Sequence, residues 1–224
     1  MTDLPLIALV PVRAGSKGLP GKNLRPLGGI PLWRRAVDQG LAAGARVVVS
    51  TDIPEILAAD PGPGVTLLPR PADLAADTTP MDPVIAHALA QIPGPARVVL
   101  LQATSPLRSL DDIRAGIALH ATGRFDLVMS VSPADAGVLK WGRIEDGAFR
   151  PLQDPAFCFM NRQALPPVHR PNGAVYVFAA DWFRLRGRLA TDSIGAVEMP
   201  PERAQDIDTE ADFARAEAAL KNRA

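Results

Sequence analysis

A glycine-rich segment near the amino terminus carries most of the residues that could do chemistry. Residues 13–23 read RAGSKGLPGKN, so three glycines lie among the cationic side chains of Arg13, Lys17 and Lys22. Glycine lets backbone N–H groups turn toward a bound anion, and nearby Arg and Lys neutralise its charge. The apolar residues 7–10 precede this segment and are typical of a buried strand. We therefore predict a phosphate-binding loop after the first strand, rather than a basic loop that is only solvated.

The spacing of the glycines excludes two common phosphate-binding motifs. A P-loop requires G-x-x-x-x-G-K-[ST], followed at once by a helix. Here Gly15 and Gly21 enclose five residues, Asn23 replaces the hydroxyl residue, and Pro26 follows three residues later. The loop also lacks the G-x-G-x-x-G spacing of dinucleotide-binding proteins. The predicted phosphate loop therefore belongs to neither class.

Further polar residues follow apolar runs that resemble buried strands. Arg70 is held between two prolines just after such a run, which suits a ligand contact but also a surface turn. Gln102 ends another run, at the edge where open α/β sheets bind ligands. Arg170 offers a planar fork for a carboxylate and Asn172 a two-way hydrogen-bonding group, although the Asn-Gly pair could be only a turn.

An acidic pair, Asp206 and Asp208, precedes the last predicted helix. In an extended segment alternate side chains share a face, so both carboxylates can converge on one hard cation while Ile207 packs inward. Mg²⁺ keeps several waters, so two carboxylates and a substrate phosphate would be enough ligands. The alternative is that these acids only complement the dipole of the helix, which Thr209 and Asp212 begin as a capping box.

The apolar pattern of the chain predicts the scaffold that must position these groups. The predicted strands cover residues 7–10, 46–50, 65–68, 97–101, 126–131, 173–179 and 194–199. The predicted helices cover residues 31–43, 54–59, 83–91, 111–120, 180–188 and 209–221. This alternation implies βαβ units, hence an α/β fold with a mostly parallel sheet and helices on both faces. Between residues 132 and 171 glycines and prolines predict irregular structure with small antiparallel pieces.

The composition limits the class of protein. The chain has 224 residues, which suits one domain, and its formal net charge is zero, with 24 basic and 24 acidic residues. A nucleic-acid partner is not expected, because such proteins usually show a basic excess. No apolar run reaches the roughly 20 residues that cross a bilayer, so no membrane partner is expected. The single Cys158 is predicted to pack and suits a cytoplasmic protein. The three histidines lack metal-ligand spacing.

Several motifs together resemble one known family, the acylneuraminate cytidylyltransferases or CMP-sialic acid synthetases. RAGSKGLPGKN resembles the signature of that family, LLQATSPLR at residues 100–108 resembles its LLQPTSPLR with Ala103 in place of proline, and RPNGAVY at residues 170–176 resembles its RPNGAIY. The resemblance implies a Rossmann-like nucleotidyltransferase fold, with CTP and an acidic nine-carbon 2-keto sugar as substrates and Mg²⁺ as cofactor. It also implies a homodimer formed through a small insertion at about residues 133–170 of a single domain spanning residues 1–224.

The resemblance, together with the chemistry of the side chains, assigns roles to individual residues. The catalytic candidates are Arg13, Lys17 and Lys22. The nucleotide-binding candidates are Arg13, Ser16, Lys17, Lys22, Asn23, Arg70, Asp77, Thr78 and Thr79. The candidates for the sugar side, or for support of the site, are Gln102, Ser105, Arg108, Lys140, Gln163, Arg170, Asn172, Gly173 and Tyr176. The metal candidates are Asp206 and Asp208. Ser105 or Ser109 could instead cap a helix, and Lys140 could simply be exposed.

One further departure from the family pattern and two alternative functions bear on this interpretation. Pro80-Met81 replaces a serine-rich continuation that is common in the family, which argues against hydroxyl contacts to the base there. One alternative is a different acidic sugar, such as a pseudaminic, legionaminic or eight-carbon keto acid, or a different nucleotide. The loop GSKGLPGKN differs from the shorter, arginine-bearing loop of the eight-carbon enzymes, which favours a nine-carbon sugar. The other alternative is a non-catalytic binding protein, which would have little need for the acidic pair. No side chain is assigned as general base.

Overall fold

Buried strands that alternate with amphipathic helices build the chain, and the computed structural model describes residues 4–222. The strands are β1 Leu6–Val12, β2 Pro26–Leu27, β3 Ile30–Pro31, β4 Arg46–Thr51, β5 Val65–Pro69, β6 Arg97–Leu100, β7 Leu127–Ala134, β8 Gly142–Glu145, β9 Ala148–Pro151, β10 Val168–Ala179 and β11 Ile194–Glu198. The α-helices are α1 Leu32–Ala42, α2 Pro54–Leu57, α3 Met81–Ala90, α4 Leu110–Ala121, α5 Ala180–Arg186 and α6 Glu210–Lys221. None of the helices formed by residues 4–222 is both long enough and apolar enough to span a bilayer.

The main sheet has the strand order β11-β7-β10-β6-β1-β4-β5. Its neighbouring strands are parallel except where β10 pairs, antiparallel, with β6 and β7. The predicted α/β fold with a mostly parallel sheet is therefore confirmed. One antiparallel strand is compatible with such a sheet, because mixed sheets are common among large α/β folds.

Both faces of the sheet are covered by helices, as the sequence predicted. Along β1, Ala8 and Val10 lie in the apolar cluster that includes α1, whereas Ile7 and Leu9 lie in the cluster that includes α3 and α5. These four side chains are at most 5% exposed. Strand side chains alternate between faces, so a run without polar residues indicates a strand buried on both sides.

The predicted helix boundaries agree with the structure to within two residues. The predicted start of the strand that corresponds to β10 was wrong. The sequence placed that start at residue 173, whereas β10 begins at Val168 and pairs with the end of β7, which itself extends to Ala134. The ladder shifts register between Pro171 and Tyr176. A proline and a glycine at this irregularity hide the strand from pattern analysis, because both residues normally weaken strands.

The segment between β7 and β10 contains short turns and one small hairpin, in agreement with the predicted irregular structure. Strands β8 and β9 form the hairpin. Asp146 and Gly147 connect them, both with positive φ, at 51° and 79°. An Asp-Gly pair with this geometry matches the twist of two antiparallel strands.

The direction of the strands determines where the polar groups lie. The parallel pairing brings the carboxyl ends of β1, β4 and β5 together, with Val12 beside Thr51 and Thr51 beside Pro69. Because β10 runs the opposite way, its first residues reach the same edge, and Arg170 lies beside Ser132 near the end of β7. The loops that the sequence selected therefore meet at one edge of the sheet.

Candidate functional site

Two connected cavities lie at this edge among the described residues 4–222. The smaller has a volume of about 200 Å³, and its polar lining includes Arg13, Ser16, Lys22, Asn23 and Arg70. The larger has a volume of about 740 Å³, and its lining includes Arg170, Asn172, Gly173, Tyr176, Asp206 and Arg215. Gln102 and Asp208 line both cavities. A molecule in one cavity would therefore meet a molecule in the other at these two side chains.

The cations of the glycine-rich loop are paired with a carboxylate of the protein. Asp77 forms ion pairs with Lys17 Nζ at 2.9 Å and with Arg13 Nη1 at 2.5 Å. The bonds from Lys17 and Arg13 hold the pKa of Asp77 below its usual value. The loop is also tied to the strand ends, since Asn23 donates to the Arg13 carbonyl at 3.0 Å and the Ala14 amide donates to Asp52 at 2.9 Å. In this structure the Asp77 carboxylate therefore supplies the negative charge that neutralises Arg13 and Lys17.

Lys22 joins this loop to the segment that contains the acidic pair. Its side chain is only 9% exposed, and its ammonium group donates to the Ile207 carbonyl at 2.6 Å and pairs with Asp208 at 2.8 Å. A buried ammonium group must be hydrogen-bonded to avoid a large desolvation cost, and these two acceptors meet that requirement. The Ile207 amide in turn donates to the Thr104 carbonyl at 2.9 Å, just after β6.

The side chains of the acidic segment alternate as its sequence suggests. Ile207 is fully buried, while Asp206 and Asp208 line the larger cavity. Burial raises the pKa of Asp206, and the neighbouring Asp208 raises it further, against a hydrogen bond from Thr104. A nearby divalent cation would relieve this unfavourable concentration of charge.

The donor set of this pair fits a hard cation. Among residues 4–222 no cluster of three or more His, Cys, Asp and Glu side chains could hold a metal ion by itself. The two carboxylates would therefore hold Mg²⁺ only together with water and a bound phosphate, which is the usual way Mg²⁺ is coordinated.

The irregular start of β10 forms the opposite wall of the larger cavity. The Asn172 amide accepts from Ser130 Oγ at 2.5 Å and donates to Ser132 Oγ at 3.0 Å, so two serines of β7 hold it in place. Gly173 has a φ of +77° and lies against the Gln102 side chain. Only glycine adopts this conformation readily. Asn172 thus supports the wall as well as lining it.

The guanidinium groups of Arg108 and Arg70 form hydrogen bonds within the protein. Arg108 is 2% exposed and donates from Nη1 to the carbonyls of Gln102, at 2.6 Å, and Ala174, at 3.1 Å. Burial lowers the pKa of its guanidinium group. Arg70 donates to the carbonyl of Ser50 at 2.7 Å and to its hydroxyl at 3.2 Å. For Arg108 this geometry favours support of the site, since it ties the end of β6 to β10.

Some candidates lie outside the two cavities. Lys140 donates to the Met160 carbonyl inside the β7–β10 insertion, and Gln163 lies in a 3-10 turn of the same insertion. Thr79 donates to the Asp73 carbonyl at 3.1 Å. Neither cavity is lined by Lys17, Asp77, Thr78, Thr79, Ser105, Lys140 or Gln163. Ser109, and not Ser105, caps α4, so the capping alternative applies to Ser109.

Sequence reasoning missed several residues of the site. Ser130 and Ser132 hold Asn172. The predicted strand ended at residue 131, so it left out Ser132, although residues two apart in a strand share a face. Gln205 and Arg215 line the larger cavity, and Arg203 pairs with Asp112 beside it. No local pattern marks those three residues.

Comparison with known proteins confirms the resemblance. A sequence profile of the family described as "Cytidylyltransferase" matches residues 7–146, more than half of the chain. The CMP-N,N'-diacetyllegionaminic acid synthase of Legionella pneumophila is 34% identical over 188 residues, which cover 78% of each chain. An N-acylneuraminate cytidylyltransferase of Streptococcus agalactiae serotype III is 27% identical over 219 residues, covering 92% of this chain. This chain spans about half of the streptococcal relative, 51% of its length.

A solved structure supports the fold. The structure of a CMP:2-keto-3-deoxy-manno-octonic acid synthetase in complex with CTP superposes with a TM-score of 0.70 at 16% identity. The superposition covers 98% of this chain and 100% of the other. The Rossmann-like nucleotidyltransferase fold that the resemblance implied is thereby confirmed.

The contact between the loop and the acidic segment can be tested with two glycines of the loop. A Cβ atom on Gly18 would overlap the backbone oxygen of Asp208, whereas a Cβ on Gly15 would lie 3.4 Å from the flexible Arg13 guanidinium. We expect Gly18→Ala to lower the free energy of unfolding in urea by about 1–3 kcal/mol, because backbone atoms must move apart. Gly15→Ala is the matched control and should stay within about 0.5 kcal/mol of wild type. Equal values for the two variants would contradict the close approach.

Proposed function

Because the chain belongs to the cytidylyltransferase family, we propose that it couples CTP to an acidic 2-keto nonulosonic sugar, giving the CMP-sugar and pyrophosphate. The observation that carries this proposal is the pair of cavities that meet at Gln102 and Asp208. Such an arrangement suits a transfer between two bound substrates, because it holds the reacting groups next to each other.

The smaller cavity is the proposed site of CTP. Arg13, Lys22 and Arg70 provide three positive charges around it, in a chain whose net charge is zero. Ser16 and Asn23 add polar groups at the same place. The phosphates of CTP would compete with Asp77 for the loop cations, so binding would exchange one anion for another.

The larger cavity is the proposed site of the sugar. Arg170 can bind a sugar carboxylate through two parallel hydrogen bonds, and Tyr176 and Gln102 can bind hydroxyl groups. The two relatives named above act, by their names, on N-acylneuraminate and N,N'-diacetyllegionaminic acid, which supports an acidic nine-carbon sugar.

The proposed reaction is an attack of a sugar hydroxyl on the α-phosphorus of CTP. A new P–O bond forms and the hydroxyl proton passes to water, while the bond from the α-phosphorus to the bridging oxygen breaks and pyrophosphate leaves. Lys22 and Arg13 would stabilise the charge that develops on the departing phosphates. Asp206 and Asp208 would hold Mg²⁺, which would neutralise phosphate charge and orient the phosphates.

We also propose that the protein is a homodimer and acts in the cytoplasm. Five large apolar side chains of the β7–β10 insertion are at least half exposed: Trp141, Ile144, Phe149, Leu152 and Phe159. Exposed apolar groups that cluster in one segment are typical of an interaction surface, and a second copy would bury them. The single Cys158, which is free, is compatible with a reducing compartment.

The first test is pyrophosphate release with CTP, Mg²⁺ and a panel of nonulosonic acids, repeated with ATP, GTP and UTP. We expect release with CTP and one of the nine-carbon acids only. Release with an eight-carbon acid or another nucleotide would keep the reaction but change the substrate. Binding of CTP by calorimetry without release for any acid would favour a non-catalytic binding protein.

The second test concerns the charge at the departing phosphates. Lys22→Ala should lower turnover on the order of 10²–10³-fold, because it removes a preorganised cation from the transition state. Lys221→Ala is the control, since that lysine is 76% exposed at the end of α6. The turnover numbers are compared in steady-state assays at saturating CTP. A turnover of Lys22→Ala within about threefold of wild type would refute this role.

The third test concerns the insertion. Phe159→Asp, at a side chain that is 91% exposed, should convert the dimer into single chains in light scattering, because a charge would be buried in the interface. Leu185→Asp is the matched control, since Leu185 is 88% exposed on α5 and outside the insertion. A wild-type protein that is monomeric at micromolar concentration would contradict the dimer.

A further inference from the structure

The acidic pair lies in a segment without regular secondary structure. Residues 200–208 connect β11 to α6 and contain only turns and extended backbone. A metal site on such a segment keeps its geometry only if the surrounding groups hold it, because small shifts of the ligands weaken binding. The contacts that hold residues 200–208 are therefore part of the proposed metal site.

Several contacts hold the carboxyl-terminal part of this segment, among them the bonds from Lys22 to the Ile207 carbonyl and to Asp208. The buried Ile207 packs with Leu107 and Phe213, and its amide donates to the Thr104 carbonyl at 2.9 Å. The capping-box carboxylate of Asp212 accepts from the Asp208 amide at 3.2 Å.

At the start of the segment, Met199 is anchored to β7, since its amide donates to the Val131 carbonyl at 2.8 Å and its carbonyl accepts from Ser132 Oγ at 2.9 Å. Between these two anchored ends lie the residues just before Asp206.

An ion pair holds the middle of the segment, three residues before Asp206. Arg203 donates from Nε to Asp112 Oδ2 and from Nη2 to Asp112 Oδ1, both at 2.9 Å. Asp112 is 4% exposed and also accepts from the Ser109 amide at 2.7 Å and hydroxyl at 2.8 Å. Burial alone would raise the pKa of Asp112, but the bonds from Arg203 and Ser109 lower it overall. The carboxylate is therefore the stable form and its partner is a fixed guanidinium group.

The geometry of this pair makes it stronger than an ordinary surface ion pair. Two parallel N–H···O bonds give the Arg–carboxylate contact a defined orientation, and one partner is shielded from water. The pair also connects α4 to the segment that contains the acidic pair. Asp112 lies in the first turn of α4, directly after the segment with Gln102 and Thr104, and Arg203 lies three residues before Asp206.

We propose that Arg203 and Asp112 are positioning residues. Their ion pair sets the distance between the first turn of α4 and the acidic segment, so that Asp206 and Asp208 can share one divalent cation. Neither partner lines the cavities, so both act through other residues. The inference rests on the proposed metal-assisted function. It names residues that no motif of the chain marks.

The test is the affinity for Mn²⁺ alone and with CTP, measured by electron paramagnetic resonance. Arg203→Gln should weaken Mn²⁺ binding about 10–100-fold, the usual effect of removing a group that orients metal ligands. In the activity assay it should raise the Mg²⁺ concentration for half-maximal rate by a similar factor, while KM for CTP at saturating Mg²⁺ changes less than about threefold. Arg203→Lys keeps the charge and one bond, so it should recover part of the loss.

Two controls separate positioning from charge and from folding. Arg114→Gln removes the same charge from an exposed position of α4 and should leave Mn²⁺ binding unchanged. If the pair acts as a unit, the double variant Asp112→Asn/Arg203→Gln should bind Mn²⁺ with the affinity of Arg203→Gln alone, within about threefold. If Arg203→Gln fails to fold by circular dichroism, Arg203→Lys decides, with a loss smaller than tenfold but measurable.

The outcomes distinguish this inference from the proposed function. Wild-type affinity for Mn²⁺ in both Arg203 variants would overturn the inference, and so would a wild-type protein that binds no Mn²⁺ with CTP present. Weakened binding in Arg203→Gln would support it even if no sugar in the panel yields pyrophosphate. That last result would refute only the proposed transfer reaction.

Discussion

The site depends on one buried cation. Lys22 brings its ammonium group to the backbone of Ile207 and to the carboxylate of Asp208, and so connects the first loop of the chain to a segment 185 residues away. A lysine at 9% exposure is stable only with such acceptors, since an unpaired buried charge is very costly. Because the loop borders one cavity and the acidic segment borders the other, this contact sets where the cavities meet. The close approach of Gly18 to Asp208 follows from the same contact.

Charge in this site is arranged in pairs rather than in excess. Arg13 and Lys17 face Asp77, and Lys22 faces Asp208, within a chain of zero net charge. A ligand must therefore exchange one anion for another at the loop, and only a multiply charged group gains from that exchange. A triphosphate meets this condition better than a single carboxylate. The same pairing explains how a neutral protein can present a cationic cavity with reduced repulsion among its own side chains.

A layer of buried and partly buried polar side chains supports the groups that line the cavities. Arg108 ties the end of β6 to β10, and Asn172 is held by two serines of β7. Arg203 and Asp112 connect α4 to the acidic segment. Each of these groups is costly to bury alone and is stabilised by at least two hydrogen bonds or a bidentate ion pair. The result is a rigid wall made from loops, which by themselves would be mobile.

The sequence by itself determined the strands and helices, the mostly parallel sheet and the position of the glycine-rich loop after β1, because periodicity and turn chemistry are local properties. It also placed Arg70 and Gln102 just after strand ends, where open α/β sheets bind ligands, and the acidic pair just before the last helix. The tertiary structure brings that pair to the same edge of the sheet. Only the tertiary structure decided the early start of β10, the partner of Lys22 and the Arg203–Asp112 pair. A bulge depends on the neighbouring strand, and an ion pair across 91 residues depends on which helix the chain packs beside. Local sequence patterns predict neither the bulge nor the ion pair, because both depend on how distant parts of the chain pack together.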